Sequence, residues 1–275
     1  MPSHAERART VLDRRGEGVL GTVSELLSTG EPLLVACADV SRRRALFARE
    51  LAGERFGRPP AACVSSMCAR DSVTELGGFG SALCIAEHGA VVQEPGLPLR
   101  FKHVFVLDPP PFAHLKSLYE GVPAGTGEGF LHLGWGPAEL DFSRKVLEHD
   151  FSLRAPLSSL YRALAAAGGT LEGDALEAVL AGEGVHPRSP AQAARCLRVL
   201  GELGLAAVER SSATVSCTIT SAERVELERS SAYRSYARTC EEGLRFLNEM
   251  TRLQTARIAK PTATSAATSR AQRAA

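Results

Sequence analysis

The residues best suited to chemistry in this chain are arginines. Arg42, Arg43 and Arg44 follow Ser41 at the predicted start of a helix, and Arg188, Arg195 and Arg198 flank or line a second one. Three cations in a first helical turn oppose the macrodipole, at a cost on the order of a few tenths of a kcal/mol unless an anion or a carboxylate lies nearby. Their chemistry is phosphate neutralisation, so all six are candidate DNA-backbone contacts, against the plain alternative of solvated helix faces. Hydrolytic chemistry finds less support. His4, His88, His103, His114, His132, His149 and His186 are scattered singly, and only Glu87-His88 and His149-Asp150 set an acid beside a histidine. A two-metal hydrolytic site needs a second such cluster. Seven cysteines, Cys37, Cys63, Cys68, Cys84, Cys196, Cys217 and Cys240, sit mostly in apolar runs without a C-x-x-C pair, as reduced buried thiols do. The reading is therefore no metal and no cofactor held by this chain. Asp39 and Asp108 end predicted strands, where open α/β sheets take their ligands, and they offer the one alternative of a small enzyme cleft. Gly77-Gly78-Phe79-Gly80 and Gly125-Thr126-Gly127 lack the strand-to-helix context of a phosphate loop.

These residues need elements to hold them. Val19 to Leu27 predicts a helix stopped by Gly30, and EPLLVACAD is an unbroken apolar run, as a parallel strand covered on both faces requires. Ser41 is placed to cap the following helix, which buries Ala45, Leu46, Phe47 and Leu51. AACVSSM, SALCIAEHGAVV and HVFVL read as further strands, the last ending at Asp108 and three prolines. This predicts an α/β fold with a small Rossmann-like parallel-sheet layer.

From Ser152 the pattern changes. Leu153, Leu157, Leu160, Tyr161 and Leu164 share one helical stripe, Asp174 is placed to cap a short second helix, and AQAARCLRVLGELG buries Ala193, Cys196, Leu197, Leu200 and Leu203 with Arg195, Arg198 and Glu202 opposite. LAAVER and SATVSCTIT then form a hairpin. Three helices and a hairpin in that order predict a winged helix, whose third helix suits nucleic-acid docking. Trp135 is placed as a packing anchor between the two domains. Thr220 and Glu223 make a capping box for a last helix that docks back through Tyr233, Tyr236, Ala237, Cys240, Leu244 and Leu247.

The expected organisation is a flexible start at 1–15, the α/β layer at 16–120, a glycine-rich linker with a short strand at 121–135, the winged helix at 136–220, a docked C-terminal helix at 221–250 and a disordered basic tail at 251–275. With 275 residues there is room for about two domains. A net charge of +1 leaves any electrostatic footprint local. No apolar run approaches the roughly 18 residues of a spanning helix, so a soluble, cytoplasmic protein without a membrane partner is expected.

Several stretches together resemble the C-terminal region of RecJ, the bacterial single-strand-specific 5′ to 3′ exonuclease, in its actinobacterial-type form. They are DRRGEGVLGTVSELLSTGEPLLVACADVSRRRALFARELAGERFG, HVFVLDPPP, FLHLGWGPAELDF, LRAPLSSLYRALAAAGG, SPAQAARCLRVLGELGL and LERSSAYRSY. In that family an Asp-His-His core using Mn²⁺ or Mg²⁺ lies N-terminal to this region. No such motif is present here, so no catalytic residue carries over. The resemblance implies an accessory region in DNA recombination and repair, inactive alone, that binds single-stranded DNA weakly and non-specifically, a DNA-repair protein, or a separately encoded nuclease core. A different class of function is a protein-protein adaptor recruiting a helicase or single-strand-binding protein.

Overall fold

The structure, a computed structural model, describes residues 7–51, 61–66, 83–121, 123–124, 128–183, 187–211 and 214–259. Six strands, β1 (Thr10–Asp13), β2 (Leu33–Cys37), β3 (Ala61–Val64), β4 (Leu83–Glu87), β5 (His103–Val106) and β6 (Phe130–Leu133), form one sheet in the order β1-β6-β5-β2-β4-β3. Every neighbouring pair is parallel. All five residues of β2 are buried, because neither side of a doubly covered parallel strand meets water.

Leu33, Val35, Cys37 and Phe105 point to one face, where they meet Val23 and Leu26 of helix α1 (Val19–Ser28) and Phe47. Phe47 lies in a segment that starts as helix α2 (Val40–Arg43), tightens to a 3-10 turn at Arg44–Phe47 and ends at Ala48–Leu51. Its cap is Asp39, which accepts the Arg42 N–H at 2.9 Å, and not Ser41; Ala45 is exposed. Leu34, Ala36, Val104 and Val106 point to the other face. Helices α3 (His88–Gln93), α4 (Ala113–Gly121) and α5 (Pro137–Phe151) cover it through Val91, Tyr119, Leu140 and Leu147.

Three expectations are corrected in this layer. The segment before residue 16 is no loose start, since Thr10–Asp13 is the sheet's edge strand. The apolar run after Leu83 leaves the strand at His88 and becomes helix, so that Ala90 and Val91 turn back onto the sheet. Helix α5, assigned by sequence to the second domain, packs on the sheet. Trp135 is buried in that same core, with the Arg15 guanidinium 5.6 Å from its ring centre. Gly134 is required just before it, because a Cβ there would lie 2.0 Å from the Phe105 ring.

A second core begins at Leu153. Helix α6 (Arg154–Ala167), strand β7 (Thr170–Glu172), helix α7 (Gly173–Ala181), helix α8 (Pro190–Glu202) and strands β8 (Ala206–Arg210) and β9 (Val215–Ile219) follow in order. The strands form an antiparallel sheet, β8-β9-β7. Leu157, Leu160, Leu164, Leu176, Cys196, Leu200 and Cys217 fill the space between helices and sheet. The buried face of α8 is Gln192, Ala193, Cys196, Val199 and Leu200, rotated from the expected stripe so that Leu197 and Leu203 are only partly covered.

Helix α9 (Ser231–Ala259) joins the two cores. It does not begin at the Thr220 box; residues 220–226 are without helix. Its cap comes from Ser230, whose hydroxyl oxygen accepts the Tyr233 N–H at 3.1 Å, and from the Glu202 carboxylate at the end of α8. That carboxylate accepts the Ala232 N–H at 2.9 Å and the Ser230 hydroxyl at 2.8 Å, and these bonds pull it down to about 2. The helix then crosses α5 and delivers Leu247 into the sheet core. It continues past residue 250, and the predicted tail beyond 259 lies outside the described residues.

Losing a buried N-cap serine costs about 1 kcal/mol, so Ser230→Ala is expected to lower the urea midpoint accordingly. The stability tied to Glu202 is present above the ordinary carboxylate value of 4.5 and fades as pH falls toward 2. A Glu202→Gln variant whose acid unfolding below pH 4.5 matched that of the parent would contradict this capping role. Among the described residues no helix is long and apolar enough to cross a membrane.

Candidate functional site

Parallel strands all end on one side, and the ends of β2, β3 and β4 leave a cleft of about 580 Å³ against the last turn of α5 and the first turn of α8. Asp39 and Glu87 line it, with Ser65, Ser66, His149, Asp150 and Arg188 around them. Asp108 does not. It is fully buried, accepts the Ala38 N–H at 3.0 Å and is gripped by two guanidinium nitrogens of Arg43, whose plane lies 3.9 Å over the Phe142 ring. Burial pushes the Asp108 carboxyl up, while Arg43 and the Ala38 N–H oppose that rise. Asp39 is engaged with the Arg42 N–H and with the Arg42 guanidinium at 3.4 Å. The two aspartates suggested by the strand ends are thus not brought together as an open acid-base pair. His88 is equally enclosed, between the Tyr119 hydroxyl at 2.8 Å and the Asp108 carbonyl oxygen at 3.1 Å. Among the described residues no group of three or more His, Cys, Asp or Glu is placed to hold a metal ion.

The six candidate arginines divide into two kinds. Arg43 is spent on Asp108. Arg188 donates to the Leu180 and Val179 carbonyls at 2.8 and 2.7 Å, satisfying the C-terminal end of α7, where a cation complements the dipole. Arg195 donates to the Asp150 carbonyl at 3.0 Å and lies 4.1 Å over the Phe151 ring, which ties it to the end of α5. Gln192, one turn earlier, donates to the His149 carbonyl. The leading end of α8 is therefore bound to α5. Arg42 lines the cleft beside Asp39, Arg44 is exposed, and Arg198 is 66% exposed with Glu202 at 3.4 Å.

One feature escaped the sequence reading. Ala206, Val208 and Arg210 alternate onto the inner face of the hairpin, and in register with them stand Ile219, Cys217 and Val215. The hairpin outruns the helix beneath it, which leaves Val208 36% and Val215 43% exposed. With Arg195, Leu197, Arg198, Gly201 and Glu202 of α8 and Tyr236 of α9 they line a groove of about 620 Å³, to which Arg210 also contributes. The period-2 alternation of LAAVER would have placed Val208 and Arg210 on one side.

The class defined here is a parallel α/β layer joined through one long helix to a helix-rich module with its own antiparallel sheet. No protein-family model and no curated protein matches the chain. Among solved structures it is similar to the helicase Lhr of Mycobacterium smegmatis bound to ssDNA and AMP-PNP, at 14% identity and a TM-score of 0.36. The match covers 78% of this chain and 32% of the helicase chain, so this chain spans about a third of that protein's length.

Proposed function

We propose that the chain is a non-catalytic accessory region of a RecJ-like single-stranded-DNA exonuclease, in which the second core acts as a winged helix that holds DNA. The observation that carries this reading is that Arg198 on the third helix and Arg210 on the hairpin, two exposed cations, line one groove of that module. Arg188 and Arg43 leave the contact set because internal partners hold them; Arg195 lines the same groove but is engaged by the Asp150 carbonyl and the Phe151 ring, and Arg44 and Arg42 remain as a second patch on the α/β layer. The enclosed Asp108 gives no support to an enzyme at the strand ends.

Phosphate neutralisation makes binding weak, indifferent to sequence and steeply salt-dependent. Replacing Arg198 and Arg210 together by Ala is expected to weaken single-strand binding and to lower the log-log salt slope by about 1.4, at about 0.7 per contact. Fluorescence anisotropy at several salt concentrations reads both quantities. The Arg42→Ala, Arg44→Ala pair is expected to leave them unchanged; the reverse result moves the contact to the α/β layer. The same preparation, given Mn²⁺, is expected to leave single-stranded DNA intact.

A second reading, the protein-protein adaptor, is favoured by the apolar floor of the groove, where Leu197, Val208, Val215 and Tyr236 lie. It predicts no DNA binding even at low salt.

A further inference from the structure

The chain leaves β2 toward one face of the sheet, where Val40 and Phe47 pack, and leaves the neighbouring β4 toward the other, where Ala90 and Val91 pack. Two adjacent strands whose connections part in this way open a crevice between their carboxyl ends, the position at which open α/β sheets take ligands, commonly through a phosphate. Here two backbone N–H groups at the strand ends meet one side chain. Glu87, the last residue of β4, accepts the N–H of Val40, the first residue of α2, at 3.3 Å and the Ser66 N–H from the loop after β3 at 2.7 Å. Among the described residues no cation is paired with it; two amides, one opening α2 and one in the loop after β3, hold the charge. Next to it, the Asp108 carboxylate takes the Ala38 N–H in the same manner.

We infer that Glu87 is a built-in stand-in for a phosphate: its carboxylate fills the anion cradle at the switch point of the sheet and closes the α/β layer to phosphate-bearing ligands. The cavity of about 580 Å³ beside it provides the room such a ligand would occupy once the carboxylate is gone. This goes beyond the accessory reading and does not depend on it, since it concerns the sheet layer alone. It also gives the layer a defined role, that of a scaffold whose ligand position is satisfied from within.

The test is thermal unfolding of the full chain with inorganic phosphate or pyrophosphate, against chloride at equal ionic strength. A ligand that binds only the folded state raises the midpoint. Glu87→Ala is expected to rise by about 3 °C or more at saturating phosphate, while the parent chain stays unchanged. Glu87→Gln, which keeps the crevice filled, is expected to be as indifferent as the parent. Equal stabilisation of the parent would overturn the inference, because the cradle would then be open despite Glu87. So would a folded Glu87→Ala that ignores phosphate. Should alanine fail to fold, Glu87→Ser, with a small polar side chain at the strand end, decides in its place: stabilisation by phosphate supports the inference and indifference overturns it.

Discussion

Replacing Arg9 by Ala is expected to destabilise the chain by about 3 kcal/mol or more, among the largest effects of any single substitution outside the strands' apolar positions. Arg9 is 5% exposed, and among the described residues no carboxylate pairs with it. Its guanidinium instead donates to the carbonyls of Lys102 at 3.0 Å, Pro98 at 2.7 Å and Phe101 at 2.8 Å, which gathers the turn before β5 against the start of that strand. Burial lowers its pKa, but an arginine keeps its proton, so the charge stays and the carbonyls must solvate it. Alanine would leave those acceptors facing a dry cavity. Lysine would keep the charge but could not span carbonyls set this far apart, so Arg9→Lys is expected to recover less than half of the loss. Urea midpoints of the two variants read this directly; a change under about 1 kcal/mol for Arg9→Ala would show that water replaces the guanidinium without cost.

The second large effect is acid sensitivity well above the carboxylate range. Burial pushes His88 down from the ordinary 6.5 to about 4. His132 is also brought to about 4, chiefly by burial and then by His103, whose Nδ1 lies 3.0 Å from the His132 Nε2. His103 itself is lowered by burial and by Lys102. The unfolded chain takes up protons below pH 6.5 while these folded sites do not, so stability falls as pH drops from 6.5 toward 4 and is fully present above that window. For His88, a span of about 2.5 pH units at about 1.4 kcal/mol each amounts to about 3 kcal/mol, and the coupled pair adds to it. Glu202 contributes only below about 4.5, so the two causes separate above that pH. Urea midpoints followed from neutral pH to roughly pH 4.5 should decline steeply, and His88→Gln should flatten the decline while lowering the neutral value. A parent midpoint that does not change across this range would mean that the folded protein admits the protons.

Much of this arrangement was readable from residue order. Leu33–Cys37 could hardly be anything but a doubly covered strand, and the leucine spacing after Ser152 placed the second core to within a residue or two. The misses share a physical cause. Strand β1 has only Val11 and Leu12 as apolar content, with Val11 48% exposed, so nothing local distinguishes it; its partner, Phe130–Leu133, lies far along the chain. Arg9, Arg43 and Arg195 look like any surface arginine, because the carbonyls, carboxylate and ring that occupy them come from elements distant in sequence. The start of α9 was misplaced for the same reason. Part of its cap is a carboxylate from another helix, and a capping box records only what lies within four residues; the local part, Ser230, was passed over for Thr220. Glu87 and Asp108, too, acquire their meaning only when the strand ends are side by side.

The delivery of Leu247 into the sheet core has a consequence for how the protein is made. A ribosome finishes the last strand of the sheet at Leu133, yet the side chain that seals the core against α5 belongs to a helix synthesised only after the entire second module. At about 10 residues per second the nascent sheet layer waits roughly ten seconds with the α9-facing side of Leu147 uncovered, an interval in which a chaperone or a neighbouring nascent chain can reach that apolar spot. The second module, whose core is assembled from elements close together in sequence, has no such delay. Of the two cores, the one encoded first is thus the last to close.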